Sequence, residues 1–144
     1  MYNEEFDKLK TKMLKYIMYK KRTEREIKQK FSNMDENMVE DAIEYLKEAG
    51  YIDDSNYIER AVKEFVNINT LSIKEMKYKL VSKGVENSLI EDYFSSHIYE
   101  LEEYEQACAQ KIYNKKIVSM EKAEVYAFLR KKGYREDSIK AIEE

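Results

Sequence analysis

The chain has 144 residues, 38% charged and 43% hydrophobic, and its 29 acidic and 26 basic side chains give a formal net charge of -3. That length suits one ordinary domain or a short array of small units, and it can bury a core without disulfides or metals. Three glycines and no proline argue against turn-rich all-β folds, α/β folds and glycine-rich nucleotide loops. A single cysteine, Cys108, and a single histidine, His97, exclude an intramolecular disulfide, a cysteine-rich zinc site and His-x-x-x-His metalloprotease chemistry.

The opening Met1-Tyr2-Asn3-Glu4-Glu5-Phe6 has no apolar signal-peptide core, and no apolar run approaches the roughly 20 residues of a membrane span. A soluble, cytoplasmic protein is expected. The apolar spacing is helical throughout and predicts an all-α chain with helices near 3–21, 23–33, 35–49, 54–69, 72–83, 86–100, 102–117, 119–132 and 135–143. Thr23 with Glu26 forms a capping box, in which hydroxyl and carboxylate satisfy free amides at a helix start. Met38, Val39, Ala42, Ile43 and Leu46 line one face of the third helix. Gly50 ends that helix, and Asp53 or Asp54 caps the next, whose face is Tyr57, Ile58, Ala61, Val62, Phe65 and Val66. Ser72 with Glu75 forms a second capping box. Leu89, Ile90, Tyr93, Phe94, His97, Ile98 and Leu101 form another apolar face. Neither glycine nor proline marks the boundary near 100, so the sixth and seventh helices can also be one long bent helix.

An internal repeat of 49 residues runs through these elements. Ile27 aligns with Met76 and Val125, and Phe31 with Leu80 and Leu129. Lys83-Gly84-Val85 aligns with Lys132-Gly133-Tyr134, where the first unit has Ser32-Asn33-Met34. Apolar pairs then close each unit: Val39 and Ala42, Ile90 and Tyr93, Ile139 and Ile142. The expected organisation is three three-helix units, 1–52, 53–101 and 102–144. A unit of that size buries little alone, and stacked neighbours supply the rest.

The residues at the unit junctions carry a family resemblance. Leu46-Lys47-Glu48-Ala49-Gly50-Tyr51-Ile52-Asp53-Asp54-Ser55-Asn56-Tyr57 resembles the Leu-x-x-x-Gly-Tyr-(Leu/Ile)-Asp-Asp-x-x-(Phe/Tyr) junction of the RecX family, modulators of the RecA recombinase. Arg22-Thr23-Glu24-Arg25-Glu26-Ile27, Lys79 to Val85 and Leu129 to Tyr134 are similar to further family segments. Asn67 to Ser72 stands where the family usually has an Arg-x-Gly-Pro-like segment. The resemblance implies an elongated, curved array of three-helix repeats. It also implies docking in the groove of the RecA–single-stranded DNA filament, which restrains recombinase, ATPase and coprotease activity in DNA repair, homologous recombination and the SOS response. No catalysis and no cofactor accompany it. A monomer acting away from membranes, with possible direct DNA contact, is expected.

The charges are segregated. Ten basic and two acidic residues lie between Lys8 and Lys30, and ten acidic and three basic between Asp35 and Glu64. Glu86 to Glu105 has seven acidic residues and no lysine or arginine, and Lys111 to Arg135 has eight basic and two acidic. The candidate phosphate or partner contacts are Lys20, Lys21, Arg22, Arg25, Lys28, Lys111, Lys115, Lys116, Arg130, Lys131, Lys132 and Arg135. The acidic stretches suit basic loops of a protein partner. Lysine-rich helix faces are also ordinary solvated surface.

Tyr16 fits the core, and Tyr19, among basic residues, is left open between core and base stacking. Cys108, spaced with Tyr104 and Ile112, reads as a small core residue, and His97 as a structural histidine; their pairing as thiol and base is the weaker alternative. Asp53 and Asp54 read as helix caps, with a magnesium site as the weaker alternative. Two other functions remain: a helical DNA-binding protein acting independently of RecA, and a helical-repeat adaptor for another protein. An enzyme is the least expected class.

Overall fold

The computed structural model describes residues 4–144, so positions 1–3 of the expected first helix and first unit lie outside the described residues. Among the described residues there are nine α-helices and no strand: α1 (Glu4–Tyr19), α2 (Glu24–Lys30), α3 (Glu36–Glu48), α4 (Asp54–Ile68), α5 (Ile73–Ser82), α6 (Asn87–Ser96), α7 (Ile98–Lys116), α8 (Lys122–Lys132) and α9 (Glu136–Lys140). All nine predicted helices are present; α2 and α9 end three residues early, α8 starts three residues late, and the largest shift is between α6 and α7. The break between α6 and α7 falls at His97, not near 100. His97 leaves helical geometry at φ -120° and ψ 21°, its ring Nδ1 lies 2.8 Å from the Tyr93 carbonyl oxygen, and the imidazole stacks on the Tyr93 ring at 4.1 Å.

The buried apolar side chains fall into three clusters. One runs from Leu9 to Ile52, a second from Ile58 to Leu101 and a third from Cys108 to Ile142. The positions aligned by the 49-residue spacing are all buried: Ile27, Met76 and Val125, and Phe31, Leu80 and Leu129. The total accessible surface is 9589 Å², against about 7,800 Å² for a compact monomer of this mass. Three small cores in series leave more surface exposed than one large core would.

Successive clusters are joined through helix ends, where backbone groups lack intrahelical partners. The Thr23 hydroxyl accepts the Glu26 amide at 3.1 Å and donates to the Lys83 carbonyl at 2.7 Å. Forty-nine residues on, the Ser72 hydroxyl accepts the Glu75 amide at 3.1 Å and donates to the Lys132 carbonyl at 3.0 Å. Each hydroxyl caps its own helix start and also satisfies the helix end of the next cluster. An ionised aspartate caps equally well but has no proton to donate, which favours Thr and Ser at these two places. The first amide of each capped helix is also taken from the next cluster. Glu24 N–H donates to Asp54 Oδ1 at 3.0 Å, and Ile73 N–H to Glu105 Oε2 at 2.8 Å.

Glycine follows each receiving lysine because the chain turns left-handed there and the neighbouring helix passes close. Gly84 has φ +89°, and a Cβ on it would overlap Cβ, Cγ and Cδ of Arg25; at Gly133, φ +100°, a Cβ would lie 3.1 Å from Lys74 Cβ and from Ser72 Oγ. Asn69 ends α4 in the same left-handed region, φ 63°, within the segment where the family usually has a glycine. Asparagine tolerates that conformation better than most residues.

The two junctions differ in strength. The second adds the Tyr104 hydroxyl donating to the Leu71 carbonyl at 2.9 Å and the Tyr134 hydroxyl to the Thr70 carbonyl at 2.5 Å. It also holds Glu105, which is fully buried. Besides Ile73, Glu105 accepts from Arg135 N at 3.1 Å, Arg135 Nε at 3.0 Å and Ser138 Oγ at 2.7 Å.

Removing that carboxylate strands the buried Ile73 amide and Ser138 hydroxyl and leaves the half-buried Arg135 without its main partner. Glu105→Ala is expected to lower the unfolding free energy by about 3–5 kcal/mol, and Glu105→Gln by less, in urea titrations. Gly84→Ala and Gly50→Ala share the left-handed penalty of about 1–2 kcal/mol. Nothing lies within 4 Å of a Cβ at Gly50, so Gly84→Ala should cost clearly more than Gly50→Ala in the same titration.

Candidate interaction clefts

The structure sorts the basic candidates by what already holds them. Arg135 is committed to Glu105 and Ser138, and also pairs with Glu102 at 3.3 Å. Lys132 Nζ lies 3.1 and 3.0 Å from the two Glu75 oxygens. Arg130 Nε meets Glu136 at 2.6 Å, and Lys28 meets Glu24 at 3.2 Å. The Lys116 ammonium sits 4.2 Å from the Phe128 ring centre, and the Arg22 guanidinium 4.0 Å from that of Tyr16. Among the described residues, Lys20, Lys21, Arg25, Lys111, Lys115 and Lys131 have no carboxylate partner at ion-pair distance.

Two adjoining clefts gather several of these cations. One, of about 360 Å³, is lined by Lys115, Lys116 and Lys132 with Ile112, Met120 and Phe128. The other, of about 430 Å³, lies between α5 and the end of α8 and is lined by Lys74, Lys79, Lys131 and Lys132 with Tyr78. Lys132 belongs to both. Lys74, Tyr78 and Lys79 are exposed and were not among the candidates expected from sequence. Their signal was there: i, i+4, i+5 spacing puts all three on one side of α5, and Lys74 aligns with Arg25 at the 49-residue offset. Lys20, Lys21 and Arg22 lie in the α1–α2 connection and line neither cleft.

Arg25 and Lys28 reach a third cleft, of about 450 Å³, whose wall also carries Glu24, Lys47, Asp53 and Asp54. Its charges largely answer one another. Burial opposes ionisation of Glu24, but hydrogen bonds from Lys47 and Lys28 outweigh it and hold the carboxyl below its ordinary value. Burial raises Asp54. Asp53 caps α4 by accepting the Asn56 amide at 3.0 Å, as expected, whereas Asp54 does not cap α4 but accepts the Glu24 amide at the start of α2. Among the described residues no group of three or more His, Cys, Asp and Glu side chains could hold a metal ion.

Cys108 is buried in the third cluster, its thiol 3.1 Å from Asn69 Oδ1, and burial pushes its pKa up. A nucleophilic thiol needs the opposite shift, and His97 is engaged with Tyr93. Tyr16 packs edge-to-face on Phe31 at 6.1 Å, whereas Tyr19 is 86% exposed. No described helix is long and apolar enough to cross a membrane.

No protein-family model matches the chain. Regulatory protein RecX of Clostridium botulinum strain Eklund 17B is 31% identical over 140 residues, covering 90% of this chain and 64% of its own length. Regulatory protein RecX of Clostridium perfringens strain SM101 is 29% identical over 150 residues, covering 96% of this chain and 68% of its own. The chain thus spans about two thirds of the length of these relatives. The crystal structure of RecX from Lactobacillus salivarius superimposes with a TM-score of 0.81 over 95% of this chain and 93% of that one, at 24% identity. The chain belongs to the RecX family. Its all-helical fold is the RecX fold.

In this RecX-family chain the lysines at the end of α8 have different tasks. Lys132 is held between Glu75 and the second junction, whereas Lys131 is exposed and unpaired. Lys132→Gln should therefore lower the unfolding free energy by about 0.5–1 kcal/mol, with Lys131→Gln unchanged within error, as measured by denaturant titration.

Proposed function

We propose that the protein binds the RecA–single-stranded DNA filament and modulates it, mainly by inhibiting its recombinase, ATPase and coprotease activities. The observation that carries this reading is the match of 90% of the chain to a protein named regulatory protein RecX. It acts as a binding protein in the cytoplasm, as a monomer, without a catalytic step. The three units, 1–52, 53–101 and 102–144, each contribute a weak contact, and their covalent linkage makes the sum tight. Three separate buried clusters support that division.

The free cations of the two adjoining clefts, Lys74, Lys79, Lys115 and Lys131, are the leading phosphate contacts. Lys20, Lys21, Arg25 and Lys111 are secondary ones. Lys132 and Arg135 act mainly by holding the second junction together, whereas Lys28 and Arg130, in exposed local pairs with Glu24 and Glu136, are secondary contacts as well. Basic residues in the last turns of α7 and α8 also complement the carbonyl ends of those helices, so their location alone is weaker support than their lack of partners.

A second reading, a DNA-binding protein acting without RecA, is favoured by the same lysines and opposed by the net charge of -3. The discriminating experiment titrates the protein into the single-stranded-DNA-dependent ATPase of the cognate RecA, with bare-DNA binding followed in the same buffer. Suppression well below one protein per RecA protomer is expected. Lys→Gln replacement at 74, 79, 115 and 131 should weaken suppression. It should also flatten the salt dependence by about 0.7 log unit per log unit of salt for each lysine that neutralises a single-strand phosphate. Tight bare-DNA binding with an unchanged ATPase would favour the second reading.

A further inference from the structure

Away from the basic clefts the surface carries the opposite charge. Between α4 and the α6–α7 break lies a cleft of about 560 Å³. Val62 and Leu101, both buried, form its floor, and the stacked rings of Tyr93 and His97 form one wall. Glu59 and Glu100, both exposed, stand at its rim. Both carboxylates act on the Tyr93 hydroxyl: burial first, then their charges, raise its pKa. Glu59, from α4, and Glu100, from α7, line the same cleft as the Tyr93 ring. The cleft lies beside the break at His97, which is one of its lining residues.

The surroundings decide the sign of what fits there. Of the acidic run from Glu86 to Glu105, which has no lysine or arginine, Glu102 and Glu105 pair with Arg135 and Glu91 with Lys77, which leaves Glu86, Asp92, Glu100 and Glu103 as its negative charge. Among the described residues the one lysine or arginine lining the cleft is Lys63, which pairs with Glu59 one turn away at 3.4 Å, both groups well exposed. Such a surface pair is worth little and yields to a better-placed cation. An apolar floor, aromatic walls and two rim carboxylates suit an arginine or lysine whose stem lies on the rings and whose charge meets the carboxylates. An adjacent aliphatic side chain would fill the floor.

We propose that this acidic-rimmed cleft is a protein-docking site for a basic segment with an aliphatic anchor, presented by the RecA protomers of the filament. The site rests on the filament reading above but is separate from the lysine clefts. The lysines engage phosphate, and this cleft engages the protein. Division of labour of this kind allows a chain of net negative charge to approach a nucleoprotein filament in one orientation, since like charges in the reversed pose repel.

The test compares two variants of equal net charge on the full chain. Glu59→Gln/Glu100→Gln removes the rim, while Asp41→Asn/Glu48→Gln removes two exposed acids on α3. Both keep the shape of surface side chains, and circular dichroism melts confirm that each is folded. Binding is measured to RecA filaments on single-stranded DNA and, separately, to the same DNA bare. The expected result is a tenfold or greater loss of filament affinity for the rim variant alone, with equal bare-DNA affinities for the two. Asn67, on α4, is exposed and also lines the cleft; a third variant, Asn67→Arg, places a tethered cation there and should weaken filament binding likewise. Filament affinity of the rim variant within twofold of the α3 variant would overturn the docking site and leave the functional reading intact. Failure of the unmodified protein to bind the filament would overturn that reading, and with it the occupant assigned to the cleft.

Discussion

A helix begins with amides that have no partner and ends with carbonyls that have none, and in this protein those two deficits answer each other across the chain. Thr23 and Ser72 each cap a helix start and each donate to a helix end 60 residues away. Because both hydroxyls are fully buried, water cannot replace a missing partner, and an unmade bond would cost the full desolvation of the group. The backbone ladders supply nothing of this kind between helices. Three small cores therefore become one array through side chains of two or three atoms placed where the helix ends meet.

Around that shared chemistry the two junctions have been elaborated differently. The first relies on the threonine, the Asp54 carboxylate and a longer Lys83–Glu26 pair at 3.8 Å. The second adds Tyr104, Tyr134 and a buried carboxylate with every oxygen occupied. Low dielectric around Glu105 strengthens each of its bonds and also makes it intolerant of losing any one of them. Arg135 is drawn into this network at the expense of its availability. A guanidinium gripped by Glu105, Glu102 and Ser138 is a poor reserve for an incoming phosphate, whereas an ammonium such as Lys131 has only water to leave.

The charge separation along the sequence thereby acquires two surfaces of different kinds. Free lysines gather in two adjoining clefts, one at the end of α7 and one between the end of α8 and α5. The acidic stretch from Glu86 to Glu105 divides in two: Glu105 goes inward to hold a junction, and Glu100 stays at the rim of an apolar cleft. Residues five apart in one charge run serve structure and surface respectively, because α7 turns Glu105 toward α5 and α9 and leaves Glu100 facing solvent.

Much of this was legible before any coordinates. Helical periodicity, capping boxes and the 49-residue spacing follow from local rules, so the sequence by itself determined an all-α chain, most helix boundaries to within two residues and the identity of the buried faces at Ile27, Met76, Val125 and their neighbours. The family junction around Gly50 and Asp53 was equally plain. Local rules failed at His97, where a ring stack and a bond to a carbonyl end a helix without glycine or proline. They also could not tell a free lysine from a committed one, since Lys131 and Lys132 are adjacent and chemically identical. Only the tertiary structure decided that Lys132 faces Glu75, that Arg135 closes on Glu105, and that Lys74 and Lys79 join the lysines of α7 and α8. Partners 30 to 60 residues away set those outcomes, and no periodicity within a helix records what will be packed against it.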